Sequence, residues 1–188
     1  DITFDWFRER RSNIFQQKES IPNYLGTANT KIYGNLAEVV NQGFDMAVNY
    51  SKRINQDLSI QFQGTFTYNN NHISIYDEAP GTRPAMKKQG KNVNTVLGYV
   101  ANGLYIDKAD IKNNPTSTLG NIAIAPGDIK YVDQPDKDGN YDGRITADDK
   151  VPLGVSVPKI IYGFGPSIGY KNWDFSVFFQ GRGNVALM

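Results

Sequence analysis

Hydrophobic and polar residues alternate through residues 58–68 for longer than in an ordinary strand. One parity is apolar at five positions: Leu58, Ile60, Phe62, Phe66 and Tyr68. The other parity is polar throughout: Ser59, Gln61, Gln63, Thr65 and Thr67. Successive side chains of a strand point to opposite faces, so the pattern predicts a strand with one apolar and one polar face. Globular strands average about 5–6 residues and outer-membrane strands about 9–11, so this length favours a membrane strand.

The same alternation recurs in four further segments, which are residues 1–8, 43–51, 160–170 and 173–180. The predicted connections are alternately long and short: 9–40, 53–57, 70–158 and 171–172. Short connections on one side and long ones on the other are typical of outer-membrane barrels. The predicted fold class is therefore all-β, with about five antiparallel strands of a partial transmembrane β-barrel and long extracellular loops. Four aromatic residues near the predicted strand ends suit an interface girdle: Tyr50, Tyr68, Tyr170 and Trp173.

A soluble β-sandwich with one solvated face also explains the alternation. The two folds differ in whether the apolar face meets lipid or a second sheet, and that face carries Phe44, Val48, Ile60, Phe62, Phe66, Phe175 and Phe179. The segregated loop lengths and the long strands favour the barrel. Five strands cannot close one, because the smallest membrane barrels have about eight and lipid does not tolerate unpaired edges. The barrel prediction therefore requires further segments of chain.

Composition narrows the function without naming it. The 188 residues contain no Cys and a single His, His72, which excludes thiol chemistry and disfavours His-based catalysis. A net charge of +1 gives no general attraction to nucleic acid. Mean hydropathy is −0.48, and no apolar run approaches the about 20 residues of a membrane helix. The chain starts and stops close to strand patterns, so we expect a piece of a larger, non-enzymatic protein.

One loop, residues 138–149, fits the spacing of a calcium-binding loop. Side-chain oxygens stand at positions 1, 3 and 5, and Gly143 at position 6 permits the sharp turn. Thr146 stands at position 9, where a residue ligates directly or through water. The predicted ligands are Asp138, Asn140, Asp142, the backbone carbonyl of Arg144, and Asp149 at position 12. The predicted role of calcium is structural. The alternative is an Asp- and Gly-rich turn that binds nothing.

Three tyrosines in the long loop suit two roles. Tyr99, Tyr105 and Tyr131 either stack on a sugar or peptide, or pack a core of the loop's own. Apolar pieces such as 93–100 favour the second role, because they predict that the loop folds as a small cap.

An ordered set of segments resembles the SusC/RagA-type TonB-dependent transporters. The segments are Arg11–Phe15, Ala37–Asp45, Gly98–Tyr105, Pro126–Asp133, Ile161–Phe164, Trp173–Ser176 and Phe179–Gly181. The segments occur in the same order through nearly the whole chain. By this resemblance, the chain looks like part of the C-terminal half of the barrel of such a transporter. Two departures from the commonest pattern are an insertion at 134–137 and Asp149 in the last loop position, where the usual residue is Glu.

The resemblance implies a barrel of about 22 strands in the outer membrane of a Gram-negative bacterium, with an N-terminal plug. It also implies a SusD-like surface lipoprotein as a lid, energy from the TonB complex, and import of oligosaccharides or peptides. Residues 1–188 would then be one part of the barrel domain, and the plug has no counterpart in them. Loops 9–40 and 70–158 would contact the lid and the substrate. The alternative function is a soluble, calcium-stabilised β-sandwich that binds carbohydrate at the cell surface.

Overall fold

The computed structural model describes residues 1–21, 31–117, 119–120, 123–136 and 138–186. Strands dominate the described chain. In order they are β1 (Ile2–Gln17), β2 (Tyr33–Arg53), β3 (Leu58–Ile75), β4 (Thr95–Gly98), β5 (Ala101–Leu104), β6 (Thr116–Ser117), β7 (Ile129–Tyr131), β8 (Arg144–Ile145), β9 (Val151–Val155), β10 (Ile160–Tyr170), β11 (Trp173–Ser176) and β12 (Phe179–Gly183). A short helix α1 covers Lys108–Asn113, and a 3-10 turn covers Ala147–Asp149.

One antiparallel sheet organises the molecule. Its strand order is β1-β2-β3-β10-β11, and β12 also pairs with β10. β11 and β12 pair one after the other with the same edge of β10 and so form one interrupted line of strand. Phe164 of β10 lies opposite Phe179 of β12, and Ser167 lies opposite Ser176 of β11. The line breaks where Pro166 accepts a hydrogen bond from the Val177 N–H (3.1 Å) and has no N–H to return. The all-β antiparallel prediction is confirmed, as is the alternation of short and long connections on opposite ends.

The first three strands extend beyond their predicted ends. β1 has 16 residues, β2 has 21 and β3 has 18. The sequence prediction placed residues 9–17, 33–40 and 70–75 in loops, and it was wrong there. Strand pairing continues past the point where the apolar alternation stops, because the ladder depends on backbone hydrogen bonds. The prediction for residues 22–30 lies outside the described residues.

The apolar face of the sheet is continuous across its strands. Phe44 lies opposite both Trp6 and Tyr68. Its ring centroid is 5.7 Å from that of Phe4 and 5.7 Å from that of Phe66. The side chains are open to solvent, with Phe4 60% exposed and Trp6 65% exposed. Across the described part of the chain, the other sheets are two-stranded and belong to residues 95–155, so no second sheet of comparable size covers this face.

The opposite face is largely polar, and the ring of Phe178 lies there on two glycines of β10. A Cβ added to Gly163 would lie 2.8 Å from Phe178 Cζ, and one added to Gly165 would lie 2.8 Å from Phe178 Cδ2. The sequence predicted a crowded surface here from the small residues of β10. Phe178 crowds it at Gly163 and Gly165, and Ser59 and Asp174 crowd it at Gly169.

Residues 76–159, called the cap below, connect β3 to β10. The cap contains the antiparallel pairs β4–β9 and β5–β7 and the parallel pair β6–β8. Its core includes Tyr105, Ile145 and Val155, which are all buried. Backbone hydrogen bonds join it to β3, because Ile73 N–H donates to Lys91 (2.9 Å) and Ile73 accepts from Gly90 (2.7 Å). Among the described helices, none is long and apolar enough to cross a membrane.

Candidate functional site

A guanidinium group lies among the carboxylates of the cap. Arg83 Nη1 is 3.2 Å from Asp149 Oδ1, and Arg83 Nη2 is 3.6 Å from Asp142 Oδ2. Nη1 also donates to the backbone carbonyl of Gln134 at 3.0 Å. The Arg83 side chain is 16% exposed and that of Asp149 is fully buried. Arg83 therefore joins the first turns of the cap to the end of the predicted calcium loop.

Asp149 is saturated with hydrogen bonds from the protein. Its Oδ2 accepts from Thr146 N (2.6 Å) and Thr146 Oγ1 (3.1 Å), and its Oδ1 accepts from Gln134 N (3.0 Å). The bond from Thr146 N is one half of a capping box around the 3-10 turn, in which the Thr146 hydroxyl accepts from the Asp149 backbone N–H in return. Burial alone would raise the pKa of Asp149, but the donated hydrogen bonds and Arg83 outweigh it and hold the pKa below its ordinary value. Asp149 is therefore a charged anchor of the cap.

Asp133 is the buried carboxylate whose charge is incompletely compensated. Its Oδ2 accepts from Gly143 N at 2.8 Å, whereas its Oδ1 is buried and has no hydrogen-bond partner. Burial raises the pKa of Asp133, and repulsion from Asp142 and Asp149 adds to the effect. The residue is 7% exposed. The position therefore favours a proton, or a cation, on this carboxylate.

The five predicted ligand residues are divided between two arrangements. Asp138 and Asn140 lie on an exposed turn, where their N–H groups donate to Asp136 Oδ1 at 2.8 and 2.9 Å. Asp142 and Asp149 lie at Arg83, and the side chain of Arg144 is exposed. In the parts of the chain that the structure describes, no group of three or more His, Asp or Glu side chains is arranged to hold a metal ion. The calcium site stays a prediction.

Sequence reasoning did not identify Arg83 or Asp133 as parts of this cluster. Arg83 precedes Asp149 by 66 residues, so no local spacing links the two. The Thr146–Asp149 spacing is the one usable signal, because a Thr followed three residues later by an acid is typical of a capping box. That signal favours a structural role for Asp149 beside the calcium interpretation.

The loop tyrosines pack within the cap. Tyr105 is buried, with Lys130 Nζ 5.8 Å from its ring centroid. The ring centroids of Tyr99 and Tyr131 are 5.4 Å apart. These contacts favour the second of the two predicted roles, in which the three rings fill the core of the loop.

The architecture of the sheet and the character of its two faces indicate the class of fold. The sheet is of the type found in the wall of a β-barrel, with an apolar face, a polar face and its long connections at one end, and it does not close among the described residues. No protein-family model matches the chain. Two curated relatives from Formosa agariphila match almost all of it. TonB-dependent receptor P3 is 24% identical over 96% of this chain, and TonB-dependent receptor P26 is 28% identical over 93%.

Solved structures agree with the curated relatives. A structure of the RagAB peptide transporter matches 95% of this chain with a TM-score of 0.59 and 17% identity. A second, of the RagAB peptide importer in its closed-closed state, matches 98% with a TM-score of 0.57 and 17% identity. The chain spans 18% of the length of the curated relatives and about the same share of the RagAB chains. The predicted resemblance to a segment of the SusC/RagA-type TonB-dependent transporters is thereby confirmed.

Proposed function

We propose that this chain forms part of the barrel wall of an outer-membrane TonB-dependent transporter. The whole protein would import oligosaccharides or peptides beneath a SusD-like lipoprotein lid, with energy from the TonB complex. The observation that carries the proposal is the register of the sheet, which aligns the apolar residues of all its strands on one exposed face. The names of the curated relatives and of the RagAB structures support the same assignment.

The apolar face has the height of a membrane. A rise of about 3.4 Å per residue makes Leu58–Tyr68 about 34 Å long. A strand tilt of about 40° reduces its height to about 26 Å, close to the roughly 25 Å apolar band of outer-membrane barrels. Trp6, Phe44 and Tyr68 lie side by side at one border, and Tyr170 lies opposite Trp173 at the other. Aromatic residues at both borders suit a lipid interface.

In such a barrel the faces, ends and edges of the sheet would have different surroundings. The polar face would line the lumen, and the cap would lie on the outer side, beneath the lid. The free edges of β1 and of the β11–β12 line need partners, because lipid does not satisfy backbone groups. Other segments of a longer protein would provide them, together with the plug that TonB acts on. In this role the chain binds and guides a substrate and catalyses no reaction.

The second candidate, a calcium-stabilised sandwich that binds carbohydrate at the cell surface, needs a partner sheet. Phe175 is 67% exposed and Phe179 is 51% exposed, so a sandwich would have to bury both. A transporter instead exposes them to lipid. The open face therefore favours the transporter.

Fractionation of the intact protein that contains this chain tests the proposal. We expect the protein to sediment with the outer membrane and to leave it only with detergent, because the apolar face is stable in lipid and not in water. Extraction of the membranes at high salt and at alkaline pH provides the control for peripheral attachment. Recovery of the protein as a soluble monomer would exclude the transporter and favour the sandwich.

We also propose a structural calcium ion at the 138–149 loop, held by the residues that the sequence predicts. The spacing of Asp138, Asn140 and Asp142 supports it, and so does the unpartnered Asp133 Oδ1 at the edge of the loop. Calcium would supply the charge compensation that this loop otherwise takes from Arg83.

The substitution Asp133→Asn distinguishes a loop without calcium from a loop that binds calcium. Without calcium, Asp133→Asn should slow proteolysis at 128–152, since it removes an incompletely compensated buried charge. If the loop binds calcium, the same substitution should weaken binding of the ion. A chelator should then speed cleavage of the wild type much more than cleavage of the variant. Asp128→Asn is the matched control, because Asp128 lies outside the Arg83 cluster. A wild-type digestion pattern that is the same with and without chelator would contradict the calcium proposal.

A further inference from the structure

We propose that Arg8 binds the phosphorylated headgroup of a glycolipid in the outer leaflet of the outer membrane. This inference rests on the proposed function, because it assumes that the apolar face of the sheet meets lipid. The outer leaflet of that membrane consists largely of glycolipids whose headgroups carry phosphate. An exposed arginine at the level of those headgroups therefore meets an anion. Arg8 is exposed and begins the charged run that follows the apolar part of β1.

Arg8 points to the lipid face of the sheet, on its outer side. The pairing of β1 with β2 runs without a shift from Ile2 to Arg11, so residues two apart in this part of β1 share a face. Arg8 therefore lies on the same face as Trp6, one row further along the strand. This is the direction in which β3 leads into the cap, and long connections mark the outer side of a barrel.

The height of Arg8 above the apolar band is that of a headgroup. Two residues of strand span about 6.8 Å. A strand tilt of about 40° reduces this to a gain in height of about 5 Å over Trp6. A bilayer is about 40–45 Å thick with a hydrocarbon core of about 30 Å, so each headgroup layer takes about 5–7 Å. With Trp6 at the border of the hydrocarbon, Arg8 lies within the headgroup layer.

The change from aromatic to hydrogen-bonding side chains occurs at the same place on three strands. The last aromatic row consists of Trp6, Phe44 and Tyr68, and the next row toward the cap consists of Arg8, Gln42 and Asn70. Directly opposite residues of neighbouring strands have their Cβ atoms about 4.5–5.5 Å apart. A guanidinium and two carboxamides all donate hydrogen bonds, and phosphate oxygens accept them. The second row therefore offers several donors to one phosphate.

Arg11 of the same run is already compensated on the other face. Its Nε is 2.7 Å from Glu9 Oε1. Both residues point to the polar face, which has a cavity of about 230 Å³ there, lined in part by Glu9, Asn41 and Asn71. Within the parts of the chain that the structure describes, Arg8 forms no salt bridge.

Arg10 shares the lipid face with Arg8 and is paired within the protein. Its Nη2 is 2.7 Å from Glu38 Oε2, and Glu38 Oε1 accepts from Ser74 Oγ at 2.5 Å. Glu38 is only 7% exposed, so it is fixed in place and compensates Arg10. The charge of Arg8 is left for an external anion. An arginine suits a phosphate in particular, because its planar guanidinium donates two parallel hydrogen bonds to the phosphate oxygens.

Binding of lipopolysaccharide by the purified intact protein tests the site. The protein is stripped of lipid in detergent and reloaded with lipopolysaccharide, and the bound lipid is quantified by native mass spectrometry. The same lipopolysaccharide treated with phosphatase is the second probe. We expect Arg8→Gln to bind about fivefold less lipopolysaccharide than the wild type, which is the effect of one Lys or Arg near an anionic membrane surface. The wild type and Arg8→Gln should bind the phosphatase-treated probe equally.

Gln42→Glu tests the same site and keeps Arg8. The substitution places a carboxylate directly opposite the guanidinium, so it should compensate the charge and lower binding by a similar factor. It provides the test if Arg8→Gln fails to reach the membrane. Arg53→Gln is the matched control, since Arg53 is an exposed arginine at the opposite end of β2. It should bind lipopolysaccharide as the wild type does.

Equal losses in Arg53→Gln and Arg8→Gln would overturn the proposal, as would equal binding of the two probes by the wild type. Millimolar inorganic phosphate should leave the lipid bound, because the acyl chains also hold it against the apolar face. Displacement by inorganic phosphate would show that the site takes the soluble anion and would contradict a lipid ligand. Fractionation of every variant distinguishes the two levels of inference. A wild type that sits in the outer membrane and binds lipopolysaccharide no better than Arg8→Gln disproves the headgroup site, whereas a soluble wild type disproves the transporter.

Discussion

Replacing Arg83 by alanine should open the cap and leave the large sheet folded. The substitution removes the cation that compensates Asp149, whose side chain is fully buried, and leaves Asp142 and Asp133 close by. Breaking one side of a buried ion pair costs about 3–5 kcal/mol, because the remaining buried charge loses its cation and gains no water. Asp149 keeps its hydrogen bonds from Thr146 and Gln134, which places the expected cost at the lower end of that range. Limited proteolysis of the intact protein measures this, since cleavage tracks the population of the open cap when opening is fast. We expect cleavage within 76–159 to be at least about a hundredfold faster.

Arg144→Ala is the control for this experiment. Arg144 is an exposed arginine of the same loop, and the predicted calcium ligand at this position is its backbone carbonyl, which the substitution keeps. Wild-type cleavage rates for Arg144→Ala, with fast cleavage for Arg83→Ala, would assign the effect to the buried cation. If Arg83→Ala resists the protease as well as the wild type does, the ion pairs of Arg83 do not hold the cap together. Rescue of Arg83→Ala by added calcium would support the calcium proposal, because a bound metal would replace the missing charge.

An arginine at position 62 should keep the protein from assembling in the outer membrane. Phe62 lies near the middle of Leu58–Tyr68 on the apolar face and is 38% exposed. A charged side chain at the midplane of a membrane barrel costs about 2–4 kcal/mol, falling toward the interfaces. We expect Phe62→Arg to lower the amount of folded protein in outer-membrane fractions and to lower its free energy of unfolding in lipid by that amount.

Gln63→Arg is the matched control, because Gln63 is the next residue of β3 and points to the polar face. It adds the same charge at the same height and should change assembly little. Equal effects of the two substitutions would show that the sheet does not separate a lipid side from an aqueous side. If the protein were a soluble sandwich, Phe62→Arg would expose its core or unfold it, and the substitution would not change its partition into membranes.

The strands could be predicted from sequence within the apolar band and not beyond it. Lipid or a core selects every second residue, so alternation records strand type and face directly, as in Leu58–Tyr68. Beyond the band, Asn69 to His72 place polar residues on both faces of β3, and this part keeps its place through backbone pairing with β2. Backbone hydrogen bonds do not depend on side-chain identity, and they leave no pattern that sequence reasoning can detect.

The candidate sites divide in the same way: residues close together in the chain could be predicted as a site, and residues far apart in the chain could not. Spacing within twelve residues was enough to single out Asp142 and Asp149, because calcium loops are built from consecutive residues. Spacing alone did not show that Arg83 would reach the same place, since 66 residues and the fold of the cap separate it from Asp149. The cavity between Glu9, Asn41 and Asn71 was also beyond reach, because it depends on the register of three strands.

By itself the sequence determined the strand type, the two faces of the sheet, the alternation of short and long connections, and the resemblance to the transporters. Each of these depends on residues close together in the chain, or on the order of short segments along it. Only the tertiary structure decided the full length of β1 to β3, the compensation of Asp149 by Arg83, the incomplete compensation of Asp133, and the cavity lined by Glu9, Asn41 and Asn71. These features depend on which distant residues become neighbours, and that is set by strand register and by the packing of the cap against the sheet.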